Sequence, residues 1–417
     1  MSEAIDFNRD SLNDPWSVPL ADLDPSQPIV FQTDSQFPIF ERLRQEDPVH
    51  YHETGLFGPY WSVTKFNDIM AVDKDHARFS SESGITLPDR QADFTTPNFI
   101  SMDPPKHDVQ RKAVTGVVAP MNLAKMEPLI RGRVCSILDS LPVGESFNWV
   151  DKVSIELTTQ MLATLFDFPF EDRRKLTYWS DMATSGELAG GPTPEPARRA
   201  ALLECLDTFQ GLWTEREGKV SDGALDLVTM LANSPDTQDM DPMEYLGNLI
   251  LLIVGGNDTT RNSISGGVLF LNQNPDQYAK LRANPDLVAN MIPEIIRYQT
   301  PLTYMRRTAL EDVEVGGKTI KAGDKVAMWY VSGNRDDEVI DRPNEFIIDR
   351  ANPRHHLSFG FGIHRCMGNR LAEMQLRVLW EEILNRFSLV EVVGEPERVQ
   401  SSFVRGYSDL QVVLHAR

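Results

Sequence analysis

The feature that most constrains the fold is a stretch of about 30 residues whose pattern predicts a single long helix. It opens with Asp241-Pro242-x-Glu244, the residue types of an N-cap, a first-turn proline and a capping-box acid, and it continues to about Asn272. Residues 249–254 are apolar on nearly every face of such a helix. We therefore expect a central, buried helix roughly 45 Å long.

The middle of this helix carries the run Gly-Gly-Asn-Asp-Thr-Thr at residues 255–260. Each glycine destabilises a helix by about 1 kcal/mol relative to alanine. A buried Asp258 destabilises it further unless the carboxylate has a partner. A local weakness beside polar side chains indicates a functional groove, although a helix kink at a packing contact would give the same pattern.

A second motif, Phe-Gly-Phe-Gly-Ile-His-Arg-Cys-Met-Gly, occupies residues 359–368. Its single thiol, Cys366, precedes a predicted helix whose apolar residues recur at helical spacing. Free N–H groups at that helix start favour a thiolate, and a cysteine thiolate is a known axial ligand of haem iron. A buried, inert cysteine in a glycine-rich turn is the alternative.

The pattern Phe-Gly-x-Gly-x-His-x-Cys-x-Gly resembles the haem-binding signature of the cytochromes P450, the haem-thiolate monooxygenases. The 255–260 run and Glu294-x-x-Arg297 follow the same family's order along the chain. The resemblance implies a mainly α fold with a minor β region, formed by one domain over residues 1–417. It places haem b between the long central helix and the cysteine-loop helix, with Cys366 as the iron ligand.

The resemblance also assigns roles to individual residues of the groove. It gives Thr259 to oxygen binding and Asp258 to proton relay, and it places Gly255 where the family usually has alanine. The residues expected to line the substrate site beside the haem are Leu251, Val254 and Gly255.

Cations and histidines are expected at the haem propionates, because arginine binds carboxylates through bidentate hydrogen bonds. The residues that the resemblance implies are His107, Arg111, Arg307 and His364, and Arg306 competes with Arg307 for this role. Phe359 is expected to shield the cysteine sulfur from water. Without the resemblance, His107, Arg111, Arg307 and His364 would each be interpreted as ordinary surface residues.

Glu294 and Arg297 lie three residues apart in a helix that should begin at Asn284-Pro285-Asp286 and end before Pro301. Most such pairs are solvated and contribute little. The resemblance instead implies a structural ion pair that holds this helix to the downstream segment 334–346. Short strand patterns follow at residues 313–315, 318–320 and 325–329.

Composition limits the partners and the compartment. The net charge of −20 argues against nucleic acid and against an anionic membrane surface. Three scattered cysteines favour a reducing compartment over a disulfide framework. The N-terminal residues show no basic and apolar leader pattern, and no stretch approaches 18 apolar residues. We expect a cytoplasmic protein, monomeric by default, without a membrane anchor.

The implied activity is insertion of one oxygen atom from O2 into a C–H bond. The sequence of residues 251–263 and 328–338 resembles that of the bacterial subfamily that hydroxylates terminal carbons of medium-chain n-alkanes and the ω-position of fatty acids. A steroid or sterol side-chain hydroxylase is the alternative. A haem-thiolate protein without oxygenase activity is a second, which Asp258 and Thr259 argue against.

Electrons are expected from a separate iron–sulfur ferredoxin and its flavin-dependent reductase. Such donors are usually acidic, so docking needs cations near the cysteine loop, and the candidates are Lys112, Arg365 and Arg370. The segments 85–99 and 185–194 are expected to form loops, and their family counterparts cover substrate entry.

Overall fold

The computed structural model describes residues 9–219 and 226–417. Within these ranges the α-helices are α1 (Asp10–Asn13), α2 (Pro28–Gln32), α3 (Gln36–Glu46), α4 (Phe66–Lys74), α5 (Lys106–Thr115), α6 (Pro120–Asp139), α7 (Glu156–Phe166), α8 (Arg174–Thr184), α9 (Glu195–Arg216), α10 (Leu227–Asn233), α11 (Pro242–Gln273), α12 (Pro275–Ala283), α13 (Val288–Gln299), α14 (Tyr330–Gly333) and α15 (Asn369–Arg386). A π-helical segment, Val150–Ile155, leads into α7, and the 3-10 helices are Leu20–Asp22, Phe99–Ser101, Gly116–Val118, Phe170–Asp172, Glu187–Ala189, Pro285–Leu287 and Gly362–His364.

The strands are β1 (Val49–His52), β2 (Tyr60–Val63), β3 (Phe79–Ser80), β4 (Ser146–Asn148), β5 (Met305–Ala309), β6 (Val313–Val315), β7 (Lys318–Ile320), β8 (Lys325–Met328), β9 (Phe387–Val392), β10 (Glu397–Arg398), β11 (Tyr407–Asp409) and β12 (Gln411–Ala416). A five-stranded sheet has the order β1-β2-β8-β5-β3, in which β2 and β8 are parallel and the other neighbours antiparallel. The remaining strands form the antiparallel sheet β4-β12-β9 and the pairs β6-β7 and β10-β11.

The predicted central helix agrees with α11 within about one residue at each end. Asp241 caps it as expected, because the carboxylate accepts a hydrogen bond from the Met243 N–H at 2.8 Å. The capping-box prediction for Glu244 is wrong. That carboxylate instead binds Lys106 at 2.6 Å and Gln110, and so ties α5 to α11.

Helix α11 occupies the centre of the helical layer and packs against α7, α8, α9, α13 and α15. Leu249 and Ile253 are fully buried in the largest hydrophobic core. Two smaller cores lie on the five-stranded sheet. The arrangement confirms the predicted mainly α fold with a minor β region, in which the long apolar helix is buried largely by neighbouring helices.

The predicted helix before Pro301 consists of a 3-10 turn, Pro285–Leu287, followed by α13. The predicted strands at 313–315 and 318–320 are confirmed as β6 and β7. They meet at Gly316 and Gly317, both at positive φ, which only glycine adopts without strain. No helix of the described residues is both long and apolar enough to span a bilayer.

Candidate active site

The cysteine loop, residues 359–368, is a tight turn on the N-terminal side of α15. The Cys366 N–H donates to the carbonyl oxygen of Phe359 at 2.8 Å. Gly360 and Gly362 have φ values of 64° and 67°. The loop therefore depends on glycine at these two positions, as the sequence indicated.

The electrostatics of the sulfur correct one expectation. Burial raises the pKa of the Cys366 thiol, although the N–H groups of Gly368 and Asn369 and the charge of Arg111 act in the opposite direction. Desolvation therefore opposes the thiolate more strongly than the helix start favours it. A bound metal ion would supply the missing stabilisation, since coordination deprotonates a thiol.

A cavity of about 360 Å³ separates the cysteine loop from α11. The accessible surface of Cys366 faces this cavity. The predicted site residues that line it are Leu251, Val254, Gly255, Thr259, Arg111, Arg307, Phe359, His364 and Cys366. The structure thus brings together residues that lie more than 250 positions apart in the sequence.

His364, Arg111 and Arg307 line this cavity, whereas His107 contacts His364 without lining it. The rings of His107 and His364 meet edge to face with their centroids 4.5 Å apart. His107 Nε2 and His364 Nδ1 are buried and have no hydrogen-bond partner among the described residues. Because buried polar atoms are almost always paired, a ligand with hydrogen-bonding groups at this site would satisfy both atoms.

Comparison with known proteins identifies what this arrangement belongs to. A model of the cytochrome P450 family matches residues 197–412. The chain is 35% identical over 390 residues to linalool 8-monooxygenase from Pseudomonas putida, an alignment that covers 90% of this chain and 95% of that protein. The chain belongs to the cytochrome P450 family.

Other relatives agree with this assignment. Steroid C26-monooxygenase from Mycolicibacterium smegmatis is 33% identical over 386 residues, covering 89% of this chain and 88% of that protein. The solved structure of CYP153D17 from Sphingomonas sp. PAMC 26605 superposes with a TM-score of 0.88 at 48% identity, covering 94% of this chain and 98% of that one. The predicted resemblance to bacterial cytochromes P450 is therefore confirmed.

A cytochrome P450 binds haem b, and the residues of this cavity fit that group. Cys366 would bind the iron through its sulfur, and Arg111 and Arg307 would pair with the two propionates. The unpartnered His107 Nε2 and His364 Nδ1 would be available to donate or accept further hydrogen bonds. These residues therefore suit haem, which carries two propionate anions and an iron atom that can bind a thiolate.

His364 is held neutral in this setting. Burial, together with the charges of Arg307, His107 and Arg111, lowers the pKa of His364 to about 2. Its Nε2 lies 3.0 Å from the Ser81 hydroxyl oxygen. When that hydroxyl donates to Nε2, the proton of the neutral ring is on Nδ1, the atom that has no partner.

The structure separates the two competing arginines. Arg307 lines the cavity and donates to Asp73 at 2.8 Å, whereas Arg306 turns away and donates to Asp89 at 3.0 Å. Both are buried strand residues with opposite side-chain directions, because successive residues of β5 face opposite sides of the sheet. Strand alternation was the signal that could have separated them in the sequence.

The α11 side of the cavity is sparsely filled near Gly255. A Cβ atom built on Gly255 would meet no heavy atom within 4 Å, whereas one on Gly256 would lie 2.7 Å from Leu162 Cδ2. The Thr259 hydroxyl donates to the Gly255 carbonyl at 2.8 Å. The first glycine leaves space in the cavity, and the second permits close packing of α11 on α7.

Asp258 does not line the cavity, and its role in proton relay stays a prediction. The carboxylate is fully buried and accepts hydrogen bonds from Ser180 at 3.0 Å and Thr184 at 3.3 Å. Arg261 lies 3.1 Å away and also binds Asp181 at 2.6 Å. Burial raises the pKa of Asp258, with Arg261 acting in the opposite direction.

Glu294 and Arg297 are fully buried and form two hydrogen bonds of 2.7 and 2.8 Å. Arg297 also donates to the carbonyl oxygens of Asn334 and Pro343, each at 2.8 Å. Glu294 accepts from the Ile347 N–H at 2.9 Å. The pair therefore satisfies backbone groups of the segment that precedes the cysteine loop, as a solvated pair would not.

Sequence reasoning missed two polar residues of this region. Thr184 lines the cavity and contacts Asp258, so it connects a buried carboxyl group to the cavity surface. Asp73 binds Arg307 beneath the cysteine loop. Neither lies in a recognisable motif, and only the packing of α4 and α8 brings them to the site.

Proposed function

We propose that this cytochrome P450 hydroxylates the terminal carbon of a medium-chain apolar substrate, an n-alkane or the ω-end of a fatty acid. The observation that carries the proposal is the apolar wall that faces Cys366 across the cavity. The residues of α11 that form this wall near the haem site are Ile250, Leu251, Leu252 and Val254. The resemblance of residues 251–263 and 328–338 to terminal hydroxylases supports the same substrate class.

Haem b bound through Cys366 supplies O2 activation and insertion of one oxygen atom into a C–H bond. The chain itself has to orient the substrate, deliver protons and exclude water. Arg111, Arg307, His107 and His364 would hold the propionates and so fix the plane of the cofactor.

Proton delivery would use the hydroxyl groups beside α11. Asp258 is the buried acid of this route, and burial raises the pKa of its carboxyl group. The Thr184 hydroxyl is 3.3 Å from Asp258 Oδ2 and reaches the cavity surface. On the outer side, Arg261 pairs with both Asp258 and Asp181, and the Asp181 side chain is half exposed.

Terminal attack requires control by shape, because a primary C–H bond is stronger than its secondary neighbours. A chain end must therefore be held by the walls of the cavity rather than selected by reactivity. Leu251, Val254 and the bare Gly255 position are the groups that would hold the methyl end.

The charge distribution favours an uncharged substrate end near the haem. Among the described residues that line the cavity, the fully ionised side chains are Arg111 and Arg307, which the propionates would occupy. A fatty-acid carboxylate would then have to remain toward the entry segments, near Ile85 and Asn98. An alkane carries no such requirement.

Electrons would come from a ferredoxin and its reductase. Lys112, Arg365 and Arg370 are exposed near the cysteine loop and form no ion pair with another described residue. On a chain with net charge −20, these free cations are the natural contact for an acidic donor.

A steroid side-chain hydroxylase is the second candidate. Relatives of 30–35% identity are named steroid C26-monooxygenase and linalool 8-monooxygenase, and each name specifies one position of the substrate. The cavity would admit such a substrate only if the entry segments can accommodate a ring system.

The test is a titration of the purified holoenzyme with decane, dodecanoic acid and cholestenone in separate cuvettes. Displacement of water at the haem shifts the Soret band, and we expect the shift with decane at the lowest concentration. Turnover with ferredoxin and reductase should then give 1-decanol. A shift only with the sterol would replace the proposal by the second candidate, and oxygenation away from the chain end would refute terminal attack.

A further inference from the structure

A buried carboxylate, Asp73, connects three elements beneath the cysteine loop. It is 2% exposed, at the end of α4. Its Oδ2 accepts hydrogen bonds from the Phe361 N–H and the Tyr330 hydroxyl, each at 2.8 Å. Its Oδ1 accepts from Arg307 Nη2 at 2.8 Å. One side chain therefore holds the cysteine loop, α14 and β5 in a fixed relation.

The two left-handed glycines of the loop make this approach possible. A Cβ atom on Gly362 would lie 2.6 Å from the Asp73 carbonyl oxygen, and one on Gly360 would lie 3.3 Å from Asp73 Oδ2. Glycine at these two positions therefore allows the loop to approach α4 closely, in addition to allowing the turn. The backbone around Cys366 is seated directly on the end of α4.

The orientation of Arg307 is fixed from two sides. Nη2 donates to Asp73, and Nη1 donates to the carbonyl oxygen of Arg306 at 2.9 Å. Arg307 is 2% exposed and lines the cavity on the propionate side. A charge-assisted hydrogen bond between buried groups restricts the guanidinium far more than a solvated pair would.

We propose that Asp73 is a positioning residue for the haem: it aims Arg307 at a propionate, anchors the loop that carries Cys366, and places a negative charge that lowers the reduction potential of the iron. This inference uses the haem site alone and is independent of which substrate is oxygenated. Reduction of ferric to ferrous haem adds one electron, and a fixed carboxylate nearby opposes that added charge.

Asp73→Asn is the first test because it keeps the shape and removes the charge. An amide presents one acceptor and one donor where the carboxylate presents two acceptors, so one of the three donors must lose its partner. In spectroelectrochemical titration of the substrate-free holoenzyme, the reduction potential should shift to a more positive value. Haem transfer to excess apomyoglobin should become about tenfold faster, as expected for the loss of one charge-assisted hydrogen bond.

Asp24→Asn is the matched control. Asp24 is also a buried carboxylate, and it accepts from the Tyr60 hydroxyl at 2.8 Å and the Leu56 N–H at 2.9 Å, but it does not contact an arginine or line the cavity. Both variants should unfold at lower temperature. An unchanged potential in Asp73→Asn, with a loss of stability like that of Asp24→Asn, would reduce Asp73 to a structural residue and overturn the proposal.

Tyr330→Phe tests the electrostatic effect of Asp73 on the reduction potential even if Asp73→Asn does not fold. It removes one donor to the carboxylate and keeps both the charge and Arg307, so the negative charge at Oδ2 is less compensated. The potential should shift in the negative direction, opposite to the shift in Asp73→Asn. A null or positive shift refutes the electrostatic role, whereas a wild-type protein that binds no haem would refute the haem site itself.

Discussion

The two walls of the cavity are held in different ways. The cysteine wall, residues 357–368, is fixed by partners from distant parts of the chain: Leu357 N–H binds Asn334, and Phe361 N–H binds Asp73. The helix wall, which consists of the cavity-lining residues Leu251, Val254, Gly255 and Thr259 of α11, leaves open space: a Cβ atom on Gly255 would meet no heavy atom of the described residues within 4 Å. Among the described residues, the Thr259 hydroxyl hydrogen-bonds to the Gly255 carbonyl of its own helix.

On the proposed assignment, the cysteine wall would hold the cofactor, and the helix wall would face oxygen and substrate. The position of an iron ligand must be determined by many contacts, because a small displacement of the sulfur breaks the bond. The groups that meet oxygen and substrate must instead remain free to form new contacts. Changes in the cysteine wall should therefore cause loss of cofactor or fold, while changes in the helix wall should alter efficiency and selectivity.

The largest effect is expected for Cys366→Ser. A serine hydroxyl cannot replace the thiolate, so the ferrous–carbon monoxide complex should lose the absorption band that is specific to thiolate ligation. Cys135→Ser is the control, since Cys135 is half-buried in α6 and away from the cavity. A Cys366→Ser protein with the wild-type spectrum would mean that another residue binds the iron.

Next is Glu294→Gln, which leaves Arg297 as a buried charge without its carboxylate. Removing one partner of a buried pair destabilises by about 3–5 kcal/mol, so haem-bound protein should be obtained in low yield and unfold at lower urea concentration. The control is Glu373→Gln, which breaks a pair with Arg354 whose arginine is 66% exposed. The free energy of unfolding of Glu373→Gln should fall by less than about 1 kcal/mol.

Equal losses of unfolding free energy in Glu294→Gln and Glu373→Gln would contradict the difference between the two walls. They would show that the segment before the cysteine loop does not depend on its buried pair. Urea titration followed by both haem absorbance and far-ultraviolet circular dichroism separates release of the cofactor from global unfolding.

The sequence was sufficient for the features whose signals are local. The N-cap of α11 at Asp241, the helical spacing after Cys366 and the paired glycines between β6 and β7 are all short patterns with direct structural meaning. The cysteine loop was likewise recognisable because its glycines and its ligand are contiguous. These local patterns are enough to fix the position of both walls along the chain.

Features that depend on long-range packing were not predictable. Asp73 lies 234 positions from Arg307 and 288 from Phe361, and no periodicity connects them. The Glu244 prediction failed for the same reason, because α5 supplies better partners than the helix start. The direction of the Asp258 side chain depends on α8, whose polar residues gave no signal of their own.

Thr259→Ala should change efficiency rather than stability. Loss of the hydroxyl next to Gly255 should lower the product formed per cofactor oxidised and raise hydrogen peroxide, with haem content unchanged. Thr208→Ala is a matched control, because the Thr208 hydroxyl makes the same bond to the carbonyl four residues back, at 2.9 Å on the exposed face of α9. Unchanged coupling in Thr259→Ala would remove this residue from proton delivery.

The smallest effect is expected for Gly255→Ala, which adds one methyl group to open space in the helix wall. Stability should rise by about 0.5–1 kcal/mol through helix propensity, as in Gly211→Ala on α9, where a Cβ also meets nothing within 4 Å. Gly255→Ala, unlike Gly211→Ala, should shift the ratio of terminal to subterminal products. Product analysis by gas chromatography with decane measures that ratio, and a ratio identical in both variants would show that the Gly255 position does not contact the substrate chain.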